Sequence, residues 1–182
     1  VIGLFFSNSL LNNFMMQIVT NVGGNAEDMG RIISFMAALE IPTMVVFDRI
    51  RKKFRCQTLI KVASIGFTFK IALCLLSKSV TMLFFAQLMQ LVSFALILPA
   101  MVHLISEVMD PGEAVKGQSF FTIMMTIGAV FASLLGGIVL DISGAFMLML
   151  IGTIITAIGS IIIIISVDKI PNNKSIPQRE NV

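Results

Sequence analysis

Apolar and polar positions alternate along this chain in blocks rather than residue by residue. Six apolar stretches, at roughly 1–20, 29–48, 57–76, 80–105, 117–140 and 146–167, are separated by polar or turn-forming breaks. Each is close to the roughly 20 helical residues that cross the hydrocarbon core of a bilayer. The breaks are the Asn/Gly-rich run 21–28, the basic run from Asp48 to Arg55, the short Ser77-Lys78-Ser79, the polar stretch from Ser106 to Lys116, and Asp141 to Gly144. The pattern predicts an all-α, polytopic membrane protein with a six-transmembrane-helix bundle over residues 1–167. An even number of crossings places both ends on one side. The segment 168–182, with Pro171, Asn172, Asn173 and Pro177, reads as a polar tail.

Composition narrows this picture. Of 182 residues 57% are hydrophobic and 13% charged, with a mean hydropathy of +0.97, which excludes an ordinary soluble domain and makes the lipid bilayer the expected surroundings. The length holds six crossings but not twelve. Val1 already lies in an apolar run without a charged leader region, so the expectation is the C-terminal portion of a longer protein. Cys56 and Cys74 form no disulfide framework or metal-ligand spacing.

The formal charge of +3 is concentrated beside one span, which points to a membrane face rather than to nucleic acid as partner. Placing the second loop, the fourth loop and the tail together collects Arg49, Arg51, Lys52, Lys53, Arg55, Lys61, Lys116, Lys169, Lys174 and Arg179, against Arg31 and Lys78 opposite. Cytoplasmic sides carry such an excess. Loops 49–56 and 106–116 and the C-terminus are therefore expected in the cytoplasm, with the chain spanning the plasma (inner) membrane.

Within the spans the candidate chemistry is sparse. Ionisable groups cost at least about 2.5–3.5 kcal/mol at the bilayer centre on insertion scales, so they normally face a cavity or a partner. Glu40 lies eight residues before Asp48, which puts it ~12 Å from the cytoplasmic end of its helix, and Lys70 sits ~20 Å into the third span. Desolvation and a nearby cation pull such a carboxyl in opposite directions, which suits a proton-exchanging or substrate-binding group. Pro42 removes one helical hydrogen bond next to it. A structural Glu40–Lys70 ion pair is the alternative. Asn8 with Asn12 and Asn13 with Gln17 are spaced i,i+4, and Gln87 with Gln90 i,i+3, so each set can share a helix face. Amides both donate and accept, and suit a hydroxyl-rich solute or an interhelical contact. Gly128, Ala132 and Gly136 recur every four residues as a helix-packing stripe. No Ser/His/Asp set, metal-ligand cluster, P-loop or nucleotide fingerprint occurs; no enzyme, cofactor or metal is expected.

Asp48-Arg49-Ile50-Arg51-Lys52-Lys53 resembles the second part of the cytoplasmic loop signature of the major facilitator superfamily, G-x-x-x-D-R-x-G-R-K/R. Met44 and Arg51 stand where that signature has glycines. The stretches Asp110 to Ser119 and Gly136 to Gly144 are similar to the family's loop between helices ten and eleven and to the end of helix eleven. The resemblance implies the six-helix C-terminal half of a twelve-helix transporter, whose N-terminal six-helix half is a missing partner, working by alternating access. It implies a cytoplasmic gate at Asp48, Arg49, Lys52 and Lys53. Met36-Ala37-Ala38-Leu39-Glu40-Ile41-Pro42 looks like the eighth-helix segment of the lactose-permease-like and sugar efflux branches. That likeness implies transport of a sugar or similar small polar organic solute, coupled to protons, with Glu40 and Lys70 as substrate or proton residues and Asn8, Asn12, Asn13, Gln17, Gln87 and Gln90 as solute contacts. In place of the lactose-permease helix-ten set stand Gln87, Gln90 and Ser93. Two other readings remain: a proton-coupled multidrug exporter with a soft Met- and Phe-rich pocket, and a non-transporting six-helix membrane partner protein.

Overall fold

The structure, a computed structural model, describes residues 1–110 and 112–170. Pro111 and residues 171–182 lie outside the described residues, and with them most of the expected tail, including Lys174 and Arg179. Among the described residues seven helices follow one another: α1 (Ile2–Asn13), α2 (Met15–Asn21), α3 (Ala26–Lys53), α4 (Cys56–Leu76), α5 (Val80–Gln87), α6 (Phe94–Val108) and α7 (Ala114–Val167), with a 3-10 turn, Leu88–Leu91, between α5 and α6. No strand occurs among the described residues. Four segments among the described residues are long and apolar enough to cross a membrane: α3, α4, the run Val80–Val108 and α7.

The boundaries follow local chemistry. Asn25 caps α3, its side-chain oxygen accepting from the N–H groups of Glu27 (2.9 Å) and Asp28 (3.1 Å), while the Asp28 carboxylate accepts from the Asn25 N–H, a reciprocal capping box. Acidic Glu27 and Asp28 open this helix and basic Arg51, Lys52 and Lys53 close it, each sign facing the favourable end of the helix dipole. For that reason Arg49 to Lys53 form the last turns of α3 rather than a loop; only Phe54 and Arg55 separate it from α4.

Two expected stretches are interrupted. The first, 1–20, bends at Phe14 (φ −110°, ψ 21°), yet the Phe14 N–H still reaches the Leu10 carbonyl (3.1 Å) and the Ile18 N–H the Phe14 carbonyl (3.0 Å). Weak helix formers Asn12 and Asn13 precede this bend. The fourth stretch tightens into the 3-10 turn. Conversely, the break expected over Asp141 to Gly144 shrinks to Gly144, where φ 76° and ψ 178° define a conformation open essentially to glycine alone. α7 is thus two helical arms, 114–143 and 145–167.

α1 lies at the centre. The Phe5 ring meets Phe67 of α4 (6.2 Å between centroids), Phe94 of α6 (6.1 Å) and Phe121 of α7 (5.7 Å), in tilted and edge-on arrangements that aromatic quadrupoles favour. On the first arm of α7, Gly128, Ala132 and Gly136 are buried against the α1 segment from Ile2 to Phe14, the close approach small residues permit in lipid. The second arm docks on the other side: the Ser7 hydroxyl donates to the Gly152 carbonyl at 2.8 Å, and the Ser160 hydroxyl to the Ser64 carbonyl of α4 at 2.7 Å. At the chain's described end, Lys61 of α4 holds both Asp168 oxygens at 2.6 Å. Ile161, Ile162 and Ile165 remain exposed, as suits side chains that face lipid.

Candidate functional site

The polar groups of α1, α3, α4 and the 3-10 turn converge in mid-bundle. Lys70, fully buried, donates from Nζ to Gln90 Oε1 at 2.5 Å and reaches Asn8 Oδ1 at 3.4 Å. The Gln90 Nε2 group donates in turn to Glu40 Oε1 at 2.7 Å. Glu40 and Lys70 are not a direct ion pair among the described residues; one amide stands between them. The amide has a single workable orientation, since a flip would turn its NH2 toward an ammonium and its oxygen toward a carboxylate. Asn8 and Gln90 are buried and Glu40 is half-buried, so the network has a closed end at Lys70 and a more open end at the carboxylate.

Gln90 reaches both charges because the helix is broken around it. Ser93 has φ −105° and ψ −97°, which resets the chain direction between the 3-10 turn and α6. Two neighbours hold this broken segment. The Thr43 hydroxyl, one turn past Glu40 on α3, donates to the Leu91 carbonyl at 3.2 Å. From α4, Gly66 comes so close that an added Cβ would sit 2.8 Å from the Val92 oxygen. Short 3-10 stretches inside helices often mark hinges. Two buried polar atoms here have no partner among the described residues, Gln87 Oε1 and Ser93 Oγ, one on either side of the turn.

The other sequence-nominated amides sit elsewhere. Gln87 is buried but turned to the Cys74 sulfur at 3.6 Å. Asn12, Asn13 and Gln17 are exposed; Asn13 donates to Ser133 on the first arm of α7 at 2.9 Å, and Gln17 lines a shallow hollow with Met16, Thr20, Asn21, Leu140 and Ala145. Asn8 and Asn12 do not share an environment despite their spacing, because α1 is packed on several sides.

At the basic end of α3, Asp48 pairs with Arg51 at 3.0 Å. Arg51 occupies a position where the family signature has glycine, and in the last turn of a helix it lies three residues from the carboxylate. Arg49, Lys52 and Lys53 are exposed around this pair. One turn inward, the Phe47 ring stacks on His103 of α6 (5.5 Å, 14°), tying α3 to α6 beside this basic end. Thr43 and Gly66 are what the sequence reading passed over, and Arg51, noted there as a base and as a departure from the signature, emerges as the partner of Asp48. A threonine three residues after Glu40 was the available signal for the first; nothing local marked Gly66.

The sequence profile described as Major Facilitator Superfamily matches residues 1–181. A comparison with curated proteins finds no match.

Proposed function

The chain belongs to the major facilitator superfamily of membrane transporters, and from that premise we propose that it moves a sugar or similar small polar organic solute, coupled to protons, by alternating access. The observation that carries this reading is the buried relay Lys70–Gln90–Glu40. Intramembrane charges are costly and mark substrate or ion paths, and this one joins three helices through a broken segment of a fourth, where transporters place their binding sites. In the proposed cycle Glu40, at the open end, takes the proton or a solute hydroxyl. Lys70 sets the charge balance, and Gln90 changes partner when solute enters. The Asn8 amide extends the donor and acceptor set; Asn12, Asn13, Gln17 and Gln87 are second-rank contacts.

Asp48, Arg49, Lys52 and Lys53, with Arg51 added, are proposed as the gate on the cytoplasmic side. Loops 49–56 and 106–116 and the C-terminus are assigned to that side of the plasma (inner) membrane, and a further six-helix half to the opposite wall of the cavity. Uptake into proteoliposomes containing the intact protein tests the proposal. Glu40→Gln is expected to abolish the pH dependence of flux and to lower its rate. Unchanged flux and pH response in that variant would remove Glu40 from the mechanism. Competition by hydrophobic cations but not by sugars would favour export of amphiphilic drugs instead.

A further inference from the structure

Threonine hydroxyls in these helices commonly bond back to their own helix. Thr122, Thr126, Thr153 and Thr156 each donate to the carbonyl four residues before them, the usual resort of a hydroxyl inside a helix. Thr43, which is buried, departs from this habit: its hydroxyl donates to the Leu91 carbonyl, 48 residues away, at 3.2 Å. That acceptor is one the helix break sets free. In an unbroken helix the Ala95 N–H would take the Leu91 carbonyl. The turn at Ser93 prevents this, because the Val92 and Ser93 N–H groups both go to the Met89 carbonyl and those of Leu96 and Ile97 to the Ser93 carbonyl. Among the described residues no backbone N–H donates to the Leu91 carbonyl, so a main-chain group inside the bundle, which must find a partner, finds it in Thr43.

Glu40 and Thr43 lie three residues apart, on one face of α3, and they take neighbouring residues of the broken segment. Glu40 accepts from the Gln90 amide at 2.7 Å, and Thr43 holds the main chain at Leu91. The second hold fixes where the backbone of Gln90 stands, and with it whether one short amide can span from the Lys70 ammonium to the Glu40 carboxylate. We propose that Thr43 is a positioning residue for the relay: by anchoring the Leu91 carbonyl it keeps Gln90 in the bridging place. This assignment rests on the reading of the relay as the working site of transport. The anchor is also releasable. A threonine in a helix has two accessible rotamers, because its oxygen can reach the carbonyl one turn back, so the hydroxyl can return to Leu39 without being left unpaired when Gln90 changes partner.

The test reads the relay directly, by solid-state NMR of the intact protein in lipid vesicles with heavy isotopes in the glutamine side-chain carbons and the lysine nitrogens. A dipolar cross-peak between Lys70 Nζ and the Gln90 amide carbon, recognised by its loss in Lys70→Met, marks the bridged arrangement. Thr43→Val keeps the shape of the side chain and removes the hydroxyl. A hydrogen bond of this kind contributes about a fivefold factor to an equilibrium, so the ratio of bridged to unbridged Gln90 is expected to fall about fivefold, and amide hydrogen exchange at 88–93 to speed up by a similar factor. Thr43→Ser, which restores the hydroxyl, returns both to the parent values. Thr153→Val, which removes a hydroxyl bonded within its own helix, leaves both unchanged. An unchanged cross-peak in Thr43→Val, its loss without faster exchange at 88–93, no recovery in Thr43→Ser, or an equal effect of Thr153→Val would overturn the proposal. The reading beneath it fails separately: if Glu40→Gln leaves flux and its pH response intact while Thr43→Val still disperses the bridge, the transport role is lost and the positioning role stands.

Discussion

Gln90 is the residue on which the central relay turns, because it satisfies an ammonium with one end of its amide and a carboxylate with the other. Replacing it by Leu leaves Lys70 with only the long 3.4 Å contact to Asn8. A buried charge that loses its partner costs about 3–5 kcal/mol, whereas removing both partners together is close to neutral. Thermal unfolding in detergent micelles is therefore expected to rank Gln90→Leu as the more damaging single change, Lys70→Met as the milder one, and the double variant as less unstable than the sum of the two. Strict additivity would mean that the relay carries no coupling. At this scale much was legible in the sequence: Glu40, Lys70, Asn8 and Gln90 stood out because charged and amide groups are rare in apolar spans. What the spacing could not supply was the order of the contacts. A helix period tells which residues share a face, but not that an amide from another helix would stand between two charges.

Among the elements, the broken segment 88–93 is the one the apolar pattern hid. No glycine or proline lies between Val80 and Leu98, and the helix tightens under tertiary contacts, with Thr43 on one carbonyl and the bare backbone of Gly66 against the next. Gly66→Ala would push a methyl group to 2.8 Å from the Val92 oxygen, an overpacking that costs about 1–3 kcal/mol; hydrogen exchange of the amides at 88–93 is expected to speed up in the same variant. Gly30→Ala, which meets nothing within 4 Å, is the control and stays within about 1 kcal/mol of the parent. A Gly66→Ala protein as stable as Gly30→Ala would show that the contact does not hold the turn. The ends of α3 were the opposite case: the Asn25 cap and the terminal bases are local signals, although the bases read as a loop until the helix dipole is taken into account.

At the scale of the molecule, the described residues combine a packed apolar interior with exposed charge at the end of α3. Asp48 and Arg51 are both solvent-exposed at the end of α3, and such pairs contribute only about 0–1 kcal/mol to folding. Asp48→Asn is expected to leave the unfolding temperature almost unchanged while slowing solute flux in proteoliposomes, the separation a gate residue should show. Orientation is checked in intact cells with a membrane-impermeant maleimide. The native Cys56 and Cys74 are buried, so background is low; Lys78→Cys is expected to react from outside and Lys52→Cys and Lys116→Cys only after the membrane is opened. The reverse pattern would invert the topology. The packing of α1 against both arms of α7 also sets a timetable for biosynthesis. Ser7 finds its Gly152 partner 145 residues later, which at about 5–20 residues per second of synthesis is a wait of roughly 7–29 s. During that interval the face of α1 that meets the small-residue stripe of α7 is uncovered, with α4 and α6 alone to pack on elsewhere, so the nascent chain depends on the insertion machinery to shield that face until both arms of α7 arrive.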